Sequence, residues 1–173
     1  MSEKDQLVVV AEGDVLRAMW RLDDARARTR KALTGMEPSL VDWQSQHHSH
    51  TIGTILYHVA AIELDWLIEE ILEGTAPDEG IWELFPYEVR DDDGSLMIVT
   101  GHSLDWYWQR LDRVREAFQQ SIAAMSVEDF RRKRVMAHYD VTPEWVLHHL
   151  AQHEAEHRGE LMMLRAMAEQ ADS

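Results

Sequence analysis

Four segments of the chain carry apolar residues at the spacing of an α-helix, and this pattern limits the possible folds more than any other feature of the sequence. Each segment is roughly 22 to 28 residues long and has a single apolar face. Helices of this kind bury that face by packing against one another. The pattern therefore predicts an all-α four-helix bundle, with helices over approximately residues 6–33, 51–73, 103–125 and 142–168.

The helix starts and the links between helices add detail to this prediction. Ser103 and Thr142 are suitable N-cap residues, and Pro143 suits the first position of the last helix. The links over residues 74–102 and 127–141 are long, which favours crossover connections over an up-down-up-down bundle with tight turns. Apolar residues at 96–99 and an alternating pattern in the second link allow a short strand in each.

Length and charge restrict the kind of protein. The 173 residues are enough for one domain with a substantial core, so we treat residues 1–173 as a single domain. A formal net charge of -15 repels phosphate backbones and anionic membranes, and no stretch approaches the roughly 20 apolar residues of a membrane span. We expect a soluble, cytoplasmic protein without nucleic acid or membrane partners. A homodimer is the simplest way to cover any apolar face that the bundle leaves open.

Two histidines of the last predicted helix stand where its apolar stripe calls for apolar residues. His153 and His157 are four residues apart, so their side chains share one face, with Cβ atoms about 5 to 6 Å apart. Two such imidazoles can bind one metal ion, and the absence of cysteine leaves only nitrogen and oxygen ligands. His58 lies on the inner face of the second helix, where a bundle can bring it opposite the pair. These three histidines are candidate metal ligands; the alternative is three core histidines with ordinary hydrogen-bond partners.

The other seven histidines are expected to have structural or incidental roles. Three lie in the polar loop before the second helix, two lie in the links, and two lie on the outer face or the edge of the last helix. In chain order they are His47, His48, His50, His102, His138, His148 and His149.

Residues 153–157 read HEAEH and match the H-E-x-x-H motif of zinc metalloproteases. In that motif the glutamate, which here is Glu154, serves as the general base. Zinc proteases usually take a third ligand downstream, and the residues after His157 offer Glu160 and Glu169 but no histidine. A protease is therefore only a minor alternative.

Two stretches of the sequence resemble the signature regions of the DinB-like family. They are HTIGTILYHVAAIELDWL, which contains His58, and TPEWVLHHLAQHEAEHRGELMML, which contains the His153 and His157 pair. The resemblance implies a four-helix bundle in which His58, His153 and His157 bind a metal ion. It also implies a possible activity, because characterised relatives include metal-dependent transferases and isomerases that use thiols such as bacillithiol or mycothiol. Family members commonly have Gln where this chain has Glu160, so the charge near the metal differs.

Three neutral imidazoles leave a divalent ion with open positions, which is typical of a catalytic site. Zinc and nickel are the preferred candidates among the metals that imidazole suits. The sequence thus favours a metal-dependent transferase that uses an external low-molecular-weight thiol on a small electrophilic substrate. Glu63 and Glu160 are candidates for hydrogen bonding to the ligands or for proton transfer. The rival interpretation is a non-catalytic bundle with a structural metal or with none.

Overall fold

The computed structural model describes residues 9, 11–46 and 48–171, and it contains the four predicted long helices. The all-α class is therefore confirmed. The helix α2 continues directly into a π-helical turn at Leu67–Ile71. The predicted start of the first helix near residue 6 is wrong for the described residues, because residues 9 and 11–13 are not helical and the helix begins at Asp14. The remaining predicted residues before Asp14, together with His47, lie outside the described residues. The helices are α1 (Asp14–Leu33), α2 (Ile52–Trp66), α3 (Leu104–Ala123), a short α4 (Val127–Arg131) and α5 (Pro143–Ala171).

Side-chain caps fix the starts of three long helices. The Ser103 hydroxyl accepts a hydrogen bond from the Trp106 amide at 3.2 Å, and the Thr142 hydroxyl accepts one from the Trp145 amide at 3.2 Å. Thr51 caps α2 in the same way. Each bond pairs a main-chain donor of the first helical turn, where the helix itself supplies no i−4 carbonyl partner. The two predicted caps are thus confirmed.

Of the two strands that the sequence allows, one is present and the other is not. In the second link, β1 (Arg134–Val135) pairs antiparallel with β2 (Asp140–Val141). The expectation of a strand at 96–99 is wrong, because this segment of the described chain makes only an isolated bridge, between Arg90 and Leu96. The carbonyl of Val99 instead accepts a hydrogen bond from the Tyr107 hydroxyl at 3.0 Å. Side chains of neighbouring helices therefore hold the link in place of a strand partner.

Helix packing brings the second and last helices into contact. The helix α1 packs along α5, and α2 packs against both α3 and α5. At Gly53, a Cβ atom would lie 2.5 Å from the Tyr107 hydroxyl oxygen, so α2 and α3 approach closely there only because the residue is glycine. In the described part of the chain, no helix is both long enough and apolar enough to cross a membrane.

The core has two apolar clusters with polar residues between them. One cluster is built around Leu22, Leu64, Phe118 and Leu150, and the other around Leu33, Ile55, Leu111 and Leu161. Between these positions each long helix carries one buried charged residue. We call these four residues the ion-pair network: Arg26, Glu63, Arg115 and Glu154. The three candidate metal ligands fall at the same level of the bundle.

Candidate metal centre

The structure brings His58, His153 and His157 together, and we refer to them as the triad. Their nearest ring nitrogens all lie within 4.8 Å of one another. The Nε2 atoms of His58 and His153 are 3.2 Å apart. The centroid of the His157 ring is 4.9 Å from that of His58 and 4.5 Å from that of His153. The geometry follows from two simple causes: a spacing of one turn on α5, and the contact of α5 with α2.

Burial keeps two of these imidazoles neutral. His58 is only 5% exposed, and its burial, reinforced by the neighbouring His153, lowers its pKa to about 3. Burial and the adjacent His157 lower the pKa of His153 to about 4. At neutral pH each ring therefore has a nitrogen lone pair available, which is the state that binds metal ions.

The arrangement fits metal ligands better than core histidines whose ring nitrogens all have hydrogen-bond partners. Two nitrogens bound about 2.1 Å from one tetrahedral ion lie roughly 3.4 Å apart, and the two facing Nε2 atoms are 3.2 Å apart. Those two atoms can share at most one hydrogen bond, and the buried Nδ1 atom of His58 has no partner among the described residues. Buried polar groups are normally paired. The donor set is thus suited to a divalent ion such as zinc or nickel.

Glu160 lies one turn beyond the triad on α5 and contacts its last member. One of its oxygens, Oε2, is 3.0 Å from Nδ1 of His157. A carboxylate in this position fixes the ring orientation and leaves Nε2 as the nitrogen free to bind an ion. The predicted proximity of Glu160 to the ligands is therefore present in the structure.

Glu63 occupies a different environment from Glu160. Its oxygens accept hydrogen bonds from Arg26 at 2.7 Å and from Arg115 at 2.6 Å. Burial alone would raise its pKa, but the Arg115 and Arg26 guanidinium groups outweigh burial and lower the pKa below the ordinary value. These contacts keep Glu63 ionised at neutral pH as the partner of two arginines, which does not suit it to carry a proton.

Glu154 has the same kind of surroundings, and this bears on the protease alternative. It is 2% exposed, and its two oxygens accept hydrogen bonds from Arg26 at 2.8 Å and Arg115 at 3.3 Å. A general base must reach a water molecule on the metal. A carboxylate held by two guanidinium groups cannot do so, and the H-E-x-x-H match therefore has no support in the structure.

Two loop histidines for which the sequence predicted only structural or incidental roles, His48 and His50, lie beside Glu160. Nε2 of His48 is 3.2 Å and Nδ1 of His50 is 3.5 Å from Oε1 of Glu160. The only signal in the sequence is the density of histidine in the segment WQSQHHSH. That signal does not reveal which helix the loop packs against.

A cleft of about 530 Å³ lies between α2 and the long link that follows it. Its α2 wall includes Ala61, Ile62 and Asp65, which follow His58 by three, four and seven residues and so share its side of the helix. The opposite wall comes from the long link and includes Tyr87 and Arg90. The volume is in the range of small-molecule sites.

An all-α bundle with convergent histidines on its second and last long helices defines a class of candidate metal-binding proteins. The chain belongs to the DinB superfamily, whose sequence model matches residues 21–161 and so includes the triad. The fold is similar to the crystal structure of a conserved protein from Enterococcus faecalis, with a TM-score of 0.69 and 16% sequence identity. That match covers 91% of this chain and 98% of the other. No curated protein matches the sequence.

Proposed function

We propose that the chain is an enzyme that holds one divalent ion, zinc or nickel, on the triad and uses it to transfer a low-molecular-weight thiol to a small electrophile. The observation that carries the proposal is the convergence of three ring nitrogens within 4.8 Å, in a chain of the DinB superfamily. Because all three ligands are neutral imidazoles, an ion bound by them would keep its full positive charge and favour the ionised form of a thiol.

The chain's own residues would have separate tasks. His58, His153 and His157 bind the ion, and Glu160 orients His157 through the contact between Oε2 and Nδ1. The ion-pair network holds the helices in register behind the site, because its four members come from four different helices. Glu63 thus positions the site and takes no proton.

The cleft between α2 and the long link would bind the electrophile. Its lining combines apolar side chains such as Ile62 and Phe85 with the charged side chains of Asp65, Glu88 and Arg90, so it suits a small substrate with both apolar and polar parts. In the reaction, a sulfur–carbon bond forms as the bond from that carbon to the leaving group breaks. The thiol proton departs with the leaving group. The chain has no cysteine, so the thiol must be supplied by the medium.

Metal content and thiol binding test the proposal together. We expect purified wild-type protein to hold zinc or nickel by elemental analysis, and His153→Ala to lose the ion bound by the triad and so to hold less metal than wild type. His148→Ala is the matched control, because His148 is exposed on the same helix. With Co²⁺ in the site, addition of cysteine, glutathione or a glucosamine-based thiol should produce a sulfur-to-metal charge-transfer band.

The results separate the proposal from its rivals. If His153→Ala retains the wild-type metal content, the triad is not the metal site. A protein that binds metal at the triad but gives no charge-transfer band with any thiol, and that loses much of its thermal stability with a chelator, has a structural metal instead.

A further inference from the structure

A second cluster of metal-binding side chains lies outside the triad. It consists of His48 and His50, from the loop before α2, and Glu160 of α5. Their nearest donor atoms lie within 4.8 Å of one another. Their side chains are 22% to 24% exposed, so an ion in solution can reach them while the surrounding protein holds them in place.

The spacing of the donor atoms matches that of ligands around an ion. Nε2 of His48 and Nδ1 of His50 converge on one oxygen, Oε1 of Glu160, at 3.2 and 3.5 Å. An N–H···O hydrogen bond is most often about 2.9 to 3.0 Å long, and both contacts are longer. Ligands that share a divalent ion at about 2.0 to 2.2 Å from each lie roughly 3 to 3.5 Å apart.

The chemistry of the three side chains also identifies the class of ion. Two imidazoles and one carboxylate form a mixed nitrogen and oxygen donor set, which suits first-row divalent metals such as zinc, iron, cobalt or nickel. Ca²⁺ and Mg²⁺ prefer oxygen ligands alone. We propose that His48, His50 and Glu160 bind a second divalent transition-metal ion, in addition to any ion on the triad.

Glu160 links this second site to the triad. While Oε1 faces the loop histidines, Oε2 contacts Nδ1 of His157 at 3.0 Å. An ion on Oε1 draws charge from the same carboxylate that orients His157, and it also repels an ion on the triad. Binding at the two sites is therefore coupled, and each ion weakens the other by the same factor. The second site does not depend on the thiol chemistry proposed above.

Counting bound ions in paired variants tests the second site. We would titrate metal-free protein with Co²⁺, follow visible absorption, and confirm the stoichiometry by elemental analysis. Wild type should bind about two ions per chain, and the double variants His48→Ala/His50→Ala and His58→Ala/His153→Ala should each bind about one. His138→Ala, a change of an exposed histidine outside both clusters, should keep about two. Circular dichroism checks that each variant is folded.

Glu160→Gln sharpens the test, because it keeps the shape of the side chain but removes its charge. It should lose the second ion and retain the first with reduced affinity. If wild type and the loop variant both bind about one ion, the second site does not exist and the triad alone binds metal. If the triad variant binds as many ions as wild type, the triad proposal fails while the second site stands. Absence of binding by wild type overturns both.

Discussion

The ion-pair network, which is buried, and the triad, of which only His58 is fully buried, are two polar regions at the same level of one bundle, and they differ in how their groups are paired. In the network, Glu63 and Glu154 each contact both Arg26 and Arg115, and the arginines also donate to main-chain carbonyls. In the triad, two neutral rings face each other and Nδ1 of His58 has no partner among the described residues. The pairing distinguishes a polar group that is satisfied by the fold from one that is available to a ligand.

The network specifies how the helices are arranged. Each long helix contributes one member, so a shift of any helix along its neighbours would leave a charge buried and unpaired. The triad does little to specify the arrangement of the helices, because neutral imidazole rings with unused lone pairs stabilise one another only slightly. Its groups are held in place by the surrounding packing and are available to a ligand.

Removing one network arginine should have the largest effect on stability. Arg115→Met leaves the buried Glu63 and Glu154 carboxylates with a single guanidinium partner. We expect the free energy of unfolding to fall by about 3 to 5 kcal/mol, the usual cost of breaking a buried pair. Urea denaturation at neutral pH measures it.

The matched control is an arginine in an exposed pair. Arg28 contacts Asp24 on the surface of α1, and its side chain is 58% exposed. Arg28→Met should change the free energy of unfolding by less than about 0.5 kcal/mol. Equal losses in the two variants would show that the network does not stabilise the bundle more than a surface pair does.

The two regions also differ in how much the sequence revealed of them. The four helices and the caps at Ser103 and Thr142 could be predicted because helical periodicity and capping are local properties of the chain. The triad could be predicted for a related reason: a spacing of four residues puts His153 and His157 on one face, and His58 interrupts an apolar stripe. The family resemblance pointed to the same three residues.

The network could not be predicted, because its contacts join residues that are far apart in sequence. Arg26 and Glu154 are 128 residues apart and yet form a hydrogen bond of 2.8 Å. From the sequence, Glu63 was as plausible beside the metal as it was beside an arginine. The position of His48 and His50 next to Glu160 likewise depends on how the loop packs against α5, which no local pattern encodes.

In the metal-free protein, protonation should lower the free energy of unfolding in one pH range through the triad and in a lower pH range through the ion-pair network. Unfolded histidines take up protons below their ordinary pKa of 6.5, whereas burial lowers the pKa of folded His58 to about 3. The unfolded state then binds more protons, so the free energy of unfolding decreases as the pH falls below about 6.5. The depressed pKa of Glu63 adds a loss only below about 4.5, its ordinary value. Each group contributes at most about 1.4 kcal/mol per pH unit.

Urea denaturation at a series of pH values separates these contributions. His58→Leu should reduce the pH dependence of the free energy of unfolding between about pH 6.5 and 4.5. Glu63→Gln should reduce it only below about pH 4.5. If Glu63→Gln changes the slope near pH 6, the carboxylate is not held ionised by its arginines.

The smallest expected effect is an increase, and not a decrease, in the free energy of unfolding. His58→Leu replaces a buried imidazole that has an unpaired Nδ1 atom by an apolar side chain, and in the metal-free protein it should raise the free energy of unfolding by about 1 kcal/mol. Added Zn²⁺ should stabilise wild type by about 3 to 4 kcal/mol at several hundred times the dissociation constant, and it should stabilise the variant less. Thermal melts with and without Zn²⁺ measure both effects. A metal-free variant that is clearly less stable than wild type would mean that the triad is a satisfied part of the core, like the ion-pair network, and that the contrast between the two regions does not hold.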